Sequence, residues 1–315
     1  PSRVRGVPPA SPRPPFFAHA RLRRTSPIAQ YSVAAALEAS QAASANLPRA
    51  GRLGVIVSVM SACVTYSRRF YDEALKDPAT ASPLVFPETV FNAPASHIAA
   101  LLGSTGINYT LVGDPGTFLC ALALASDWLV NQRVDGCVVV GAEESDWVTA
   151  EASAIFDRNI IMGEGAGALF LRRAAPDAEV LLSAVTEPVL YTRSRSRADA
   201  LRQAREQLRA SRNGHSVSLL CDSTQGVPRQ DRPGLDTWSD WTGRRMSVKK
   251  IFGEGLMAAA AWQTLAGVAA LRRGECDSAI VSISGVNQQA VMAKFIQGSR
   301  PVPKSPAAMP PTSTT

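Results

Sequence analysis

Residues 116–143 read GTFLCALALASDWLVNQRVDGCVVVGAE, and residues 255–285 read GLMAAAAWQTLAGVAALRRGECDSAIVSISG. Both run in the same order: a glycine, a helix-length apolar run, a basic turn, an aspartate, a buried-strand run and a second glycine. Asp135 and Asp277 hold the same place just before the strand. Helices apolar on every side must be buried between layers, not laid on a surface. Apolar strands alternating with helices predict mostly parallel sheets covered on both faces. Two such units predict an α/β protein with duplicated α/β/α/β/α layering.

The flanking segments extend both units. PIAQYSVAAALEASQAA (27–43) has apolar spacing of three and four and predicts a helix. GRLGVIVSVM (51–60) reads as a buried strand, and FPETVFNAPASHIAALLGS (86–104) as a loop entering a helix capped by Asn92 or Ser96. INYTLVG (107–113) is a strand leading into the helix of 116–132, and GEGAGALFLRR (163–173) a turn opening a strand. AEVLLSAVTEPVLY (178–191) is strand-like, SRADALRQAREQLRAS (196–211) an amphipathic helix, SVSLLCDST (216–224) a buried strand and SAIVSISG (278–285) the last strand. The expected organisation is a Pro/Arg-rich arm over 1–24, halves over 25–175 and 176–298, and a Pro-rich tail over 299–315.

Charge narrows the function classes. The chain of 315 residues carries +7, which by itself would suggest nucleic acid. Residues 1–24 hold six Arg and no acid, and 299–315 hold Arg300 and Lys304 and no acid. Taking those eight charges from +7 leaves −1 on residues 25–298, so the body is near neutral and no nucleic-acid partner is expected. Both ends read as disordered or draped segments. The five cysteines lack CxxC spacing, and Cys120, Cys137, Cys221 and Cys276 sit in apolar runs, which suits a reducing, cytoplasmic setting. His19, His97 and His215 are far apart and form no metal pattern. No apolar run reaches the roughly 20 residues of a membrane span, and no apolar h-region follows the basic N-terminus.

YTLVGDPGTFLCALALASDWL (109–129) is a strand, a sharp turn and a helix, the place where many α/β enzymes hold a nucleophile. Its apex, Gly113-Asp114-Pro115-Gly116, offers neither serine nor cysteine. Asp114 suits a helix N-cap and Pro115 the first helical position, so the turn reads as a structural cap. Cys120 lies one turn further on, in apolar surroundings that suppress its acidity. Cys63, in VMSACVTYSRR, stands near arginines that would favour a thiolate, but has no histidine beside it. Glu164, in GEGAG, is expected to accept backbone amides in a tight turn. His97 is expected to cap or pack.

MGEGAGALFL (162–171), NAPASHIAALLG (92–103), DGCVVVGAEE (135–144), KKIFGEGLMAAAA (249–261) and IAQYSVAAALEAS (28–40) together resemble β-ketoacyl synthases of the thiolase fold. The resemblance runs from about residue 25 to 298 and implies the duplicated thiolase-like fold, with the usual N-terminal segment shortened or replaced. It also implies a Cys-His-His set: a cysteine that takes the acyl chain, and two histidines that promote decarboxylation and stabilise the enolate. Counting back without gaps from DGCVVVGAE puts Pro115 at the cysteine position. LLCDSTQG puts Ser223 at the first histidine and KKIFGEGLMAAAA puts Glu254 at the second, while Lys249 matches the family's lysine. Proline cannot attack a thioester and lacks the N–H that would help an oxyanion hole. A carboxylate at 254 would repel an enolate unless protonated or paired with Lys249. In this fold Glu143 and Glu144 adjoin the dimer-side strand, where a buried ion pair is expected.

Family members without the nucleophile resemble chain-length factors, which pair with an active ketosynthase. The resemblance therefore implies a heterodimer, a non-catalytic subunit of polyketide, aryl-polyene or fatty-acid-type elongation, and no cofactor or metal. Asp114, Thr117, Phe118 and Leu119 are the implied interface and tunnel residues. The basic stretch with Arg193, Arg195, Arg197, Arg202 and Arg205 is either a solvated helix face or a dock for an acidic acyl carrier protein. Two alternatives stay open: an altered acyltransferase or decarboxylase using Thr117, Ser223 or Glu254, and a homodimeric pseudoenzyme that binds acyl groups or carrier proteins.

Overall fold

The structure, a computed structural model, describes residues 4–9, 11–12, 14–43, 48–209 and 217–298. The tail 299–315 and His215 lie outside the described residues. In the first sheet β2 (Leu53–Val59) lies between β3 (Asn108–Val112) and β4 (Gly136–Glu143), all parallel, and β6 (Gly165–Arg172) pairs antiparallel to β4. In the second, β9 (Ser218–Cys221) lies between β10 (Arg244–Met246) and β11 (Ser278–Ser284), again parallel. β12 (Gln289–Gln297) then pairs antiparallel to β11, and β7 (Val180–Val185) antiparallel to β12. The orders are β3-β2-β4-β6 and β10-β9-β11-β12-β7, with the short β8 (Val189–Leu190) also on β12. The second sheet thus repeats the first and adds β7 and the short β8, both on β12.

The apolar helices read from the sequence become α4 (Thr117–Val130) and α8 (Met257–Arg272), and both touch both sheets. Phe118, Leu122, Trp128, Met257 and Ala261 are wholly buried in one core with side chains from β4, β9 and β11. Outside the first sheet lie α1 (Pro27–Ala42) and α3 (Ala93–Leu101); outside the second lie α6 (Arg197–Arg209) and α7 (Pro228–Thr237). These are the five layers expected from the sequence. The matched aspartates do matched work: the Asp135 N–H donates to the Arg52 carbonyl and the Asp277 N–H to the Val217 carbonyl, each at 2.8 Å. Each bond ties the start of a sheet's third parallel strand to the residue before its central strand.

Several expectations change. SAIVSISG is not the last strand, because QAVMAKFIQ forms β12. The strand-like run 178–191 splits into β7 and β8, with Pro188 between them. Further helices, α2 (Val64–Lys76) and α5 (Trp147–Phe156), were not read from the sequence. The described part of the N-terminal arm is draped, not free. It forms β1 (Val4–Arg5), parallel to β5 (Met162–Gly163), and two 3-10 turns at Pro15–Ala18 and Ala20–Leu22.

Candidate functional site

The turn after β3 is where the sequence placed a cap, and the structure corrects that reading. α4 starts at Thr117, its N-cap position is Gly116, and no side chain caps it. The buried Asp114 carboxylate turns to the loop between β11 and β12 instead. Oδ1 accepts from Val286 and Asn287 N–H at 3.0 Å each, and Oδ2 from Gln288 and Gln289 N–H at 3.2 and 3.1 Å. Four successive amides around one carboxylate form an anion nest, stronger than a helix cap because the acceptor is charged. The nest requires Gly285, since a Cβ there would meet Asp114 Oδ2 at 1.6 Å. The Gln289 side chain adds a bond to Thr117 Oγ1 at 3.2 Å. Pro115 is buried beside this tie and offers no N–H.

Ser223, at the end of β9, has its hydroxyl fully engaged. Oγ donates to the Ser282 carbonyl at 3.1 Å and accepts from Ser284 N–H at 3.1 Å and Gln263 Nε2 at 3.4 Å. None of these partners can take its proton. An activated serine needs a base within hydrogen-bond reach. His97, one of the two histidines among the described residues, is engaged on α3 of the other half, where Nε2 donates to Glu88 at 2.8 Å.

Lys249 and Glu254 meet at 2.6 Å with side-chain exposures of 2% and 3%. Glu254 also accepts Leu256 N–H at 3.0 Å, and its own backbone bridges to Met162. Glu254 is therefore a buried carboxylate neutralised by a buried lysine. Ser223, Lys249 and Glu254 line one cavity with Ser284, Gly285 and Val286. Its volume of about 30 Å³ has room for about one water. Asp114 stands behind its Gly285–Val286 wall, and Pro115 does not line it.

Phe118 and Leu119, expected at an interface or tunnel, are wholly buried in the chain's own core. Sequence spacing put them near the turn, but the helix faces them inward. Thr117 is half-buried. Cys120 is held by burial up to about 11. Cys63 is pushed up to about 12, chiefly by burial, and the arginines near it in sequence do not make it reactive. Among the described residues no ion pair forms at Glu143 or Glu144, where one was expected. Glu143 accepts N–H bonds from Met60, Ser61 and Ala62, and Glu144 from Ile28 and Thr65. Burial outweighs these donors and lifts the two carboxyls to about 8 and about 7. Glu164 accepts from Val7 N–H, Ser145 N–H and the Tyr31 hydroxyl, so it ties three segments together.

The basic stretch is divided in its use. Arg205 stacks 4.3 Å from the Trp238 ring and bonds the Thr237 carbonyl and Asp240 at 2.6 Å each. Arg197 lies over Tyr191 and bonds Gln230 at 2.9 Å. Arg202 pairs with Asp199 on the same helix, and Arg195 donates to the Leu190 carbonyl at 3.3 Å. Arg193 and Arg195 stand exposed before α6. Among the described residues no group of His, Cys, Asp or Glu could hold a metal ion, and no helix is long and apolar enough to cross a membrane.

Comparison with known proteins agrees with this geometry. Residues 9–176 match the family model of the β-ketoacyl synthase N-terminal domain. No curated protein matches the chain in sequence. Among solved structures, the ishigamide ketosynthase/chain length factor is similar at 17% identity, with 90% of this chain and 84% of that one aligned and a TM-score of 0.75. The ketosynthase in complex with its chain length factor from Xenorhabdus doucetiae is similar at 14% identity, over 94% and 86%, with a TM-score of 0.75. A β-ketoacyl synthase from Burkholderia phymatum is similar at 13% identity, over 91% and 86%, with a TM-score of 0.69. At such identities the likeness is one of fold.

Proposed function

The chain belongs to the β-ketoacyl synthase family, and from that premise we propose that it is a non-catalytic, chain-length-factor-like subunit. It pairs with an active ketosynthase and shapes that partner's acyl tunnel in polyketide- or fatty-acid-type elongation. One observation carries this reading. The position that should hold the nucleophile is Pro115, and its neighbour Asp114 is bound by the four amides of the closing loop. Pro115 itself offers no attacking atom and no N–H for an oxyanion.

Two further features support pairing. Among the described strands β3 pairs only with β2, and it exposes Tyr109 and Val112. An open strand edge with apolar side chains is a template for another chain. Phe118 and Leu119 are core residues, so β3 is the surface assigned to the partner. Of the basic stretch, Arg193 and Arg195 stand exposed before α6 and are proposed to meet an acidic carrier protein.

The test is co-expression with the ketosynthase encoded nearest to this chain, followed by size-exclusion chromatography and mass measurement. A one-to-one complex whose elongation requires only the partner's cysteine is expected. Replacing the exposed Val112 by lysine should weaken that complex at least tenfold while leaving the isolated fold unchanged. A lone homodimer that takes up a labelled acyl group would overturn the proposal.

A further inference from the structure

Three segments converge on the end of β4. Glu143 accepts N–H bonds from Met60, from Ser61 at 3.1 Å and from Ala62 at 3.3 Å, which holds the connection from β2 to α2. Glu144 accepts Thr65 N–H at 2.7 Å in the first turn of α2 and Ile28 N–H at 3.0 Å in the first turn of α1. Two neighbouring carboxyls, each 1% exposed, thus fasten the starts of two helices to one strand. Gly113 N–H donates to the Val59 carbonyl at 3.2 Å, so this joint also abuts the end of β3.

The ionisable groups around the joint, among the described residues, are acids or are engaged elsewhere. On α1 the Tyr31 hydroxyl donates to Glu164, which stands between β5 and β6 and acts on Glu144 as a like charge. The Cys63 thiol, at the start of α2, feels the charges of Glu144 and Glu88, and Glu88 is bound to His97 of α3. Arg68 of α2 is paired with Asp146 and Asp72, and Lys249 with Glu254. Arg5 of the arm donates to the Lys250 and Ile251 carbonyls. Burial and like charge disfavour ionisation of a carboxyl, and amide donors favour it. Here burial prevails and raises Glu143 and Glu144 to about 8 and about 7. Opened to water, a glutamate ionises near about pH 4.3. The closed joint therefore holds protons that the open one gives up. Its advantage is complete below about pH 4.3, shrinks as pH rises through the buried values, and levels off above about pH 8.

We infer that Glu143 and Glu144 form a pH-responsive latch, which holds the β2–α2 connection and the start of α1 closed at mildly acidic pH and loosens them at mildly alkaline pH. The latch works within one chain and is independent of the partner proposed above. Peptide-resolved hydrogen exchange of the full chain tests it, with rates corrected for the intrinsic effect of pH. Protection of residues 60–65 and of the start of α1 is expected to fall about tenfold or more from about pH 5.5 to about pH 8, while protection of β11 falls less than about threefold. Glu144→Gln removes one titrating group and should shrink the fall at 60–65, and Glu143→Gln should do the same. A flat profile at 60–65 would overturn the inference. So would an equal fall in β11, which would mean that the whole molecule responds, and so would a fall that both variants keep in full. If a variant does not fold, the carboxyl carbon-13 shifts of the glutamate-labelled parent decide: two carboxyls titrating above about pH 6 are expected, and fewer would overturn the inference.

Discussion

The two halves share one plan, but Glu254 of the second is held unlike three buried glutamates of the first. In the second half the buried carboxylate of Glu254 is met by a buried cation, Lys249. In the first half Glu143, Glu144 and Glu164 are met almost wholly by backbone N–H groups. Asp114 lies between the two styles: a first-half carboxylate held by second-half amides. The difference shows what became of the apex. In a duplicated fold the two central helices begin face to face, and here one beginning carries an ion pair while the other is tied across the dyad. In both, the carboxylate at the helix start is paired.

The largest expected effect tests the second-half style. Lys249→Met should destabilise the protein by about 3–5 kcal/mol, because it strands a buried carboxylate. The double variant Lys249→Met/Glu254→Leu should recover most of that loss, since removing both charges also removes the desolvation penalty. Urea unfolding of the two variants beside the parent decides the matter. A single-variant loss under about 1 kcal/mol would mean that the charges are not buried together.

The tie across the halves comes next. Asp114→Ala leaves four amides without their acceptor and should cost about 3 kcal/mol. Asp114→Asn keeps the shape but loses the charge and one acceptor oxygen, and should cost about half as much. If the two variants unfold at the same urea concentration, charge is not what holds the loop. A smaller effect separates the arginines. Arg205→Ala should cost about 1–2 kcal/mol through the lost ring stacking and carbonyl bond, whereas Arg193→Ala should stay within about 0.5 kcal/mol.

Legibility in the sequence followed range. The two apolar helices and the aspartate-led strands were readable because burial on all sides leaves a continuous apolar run. Ser223, Glu254, Lys249 and Pro115 were located by the order of blocks, and the structure brings the first three to one cavity. β12 was missed because QAVMAKFIQ follows a loop-like SGVNQ and carries Gln289 and Lys294 among its apolar residues. The Asp114 nest was missed because its donors lie 172 to 175 residues away, and backbone amides leave no mark in a sequence. The only trace was Gly285, whose missing side chain makes room for the carboxylate. The direction of Phe118 and Leu119 was missed because their helix is apolar all round and shows no face.

The smallest expected effect probes the first half where a side chain does join the backbone donors. Burial pushes the Glu88 carboxyl up, but bonds from His97 at 2.8 Å and Ser26 N–H at 3.0 Å pull harder and hold it below the usual carboxylate range. A carboxyl whose folded pKa lies below its unfolded value adds stability that is complete above the unfolded value of about 4.3 and is lost as pH falls through the folded one. Urea midpoints of the parent and Glu88→Gln should therefore differ by a constant amount from about pH 7 to about pH 5.5 and converge towards about pH 3.5. His97→Leu removes the strongest donor, so in that background the convergence should begin at higher pH. A gap between parent and Glu88→Gln that is the same at every pH would mean that Glu88 holds the start of α1 by shape alone. The first half would then owe nothing to this charge, and the contrast with the lysine-paired Glu254 would sharpen.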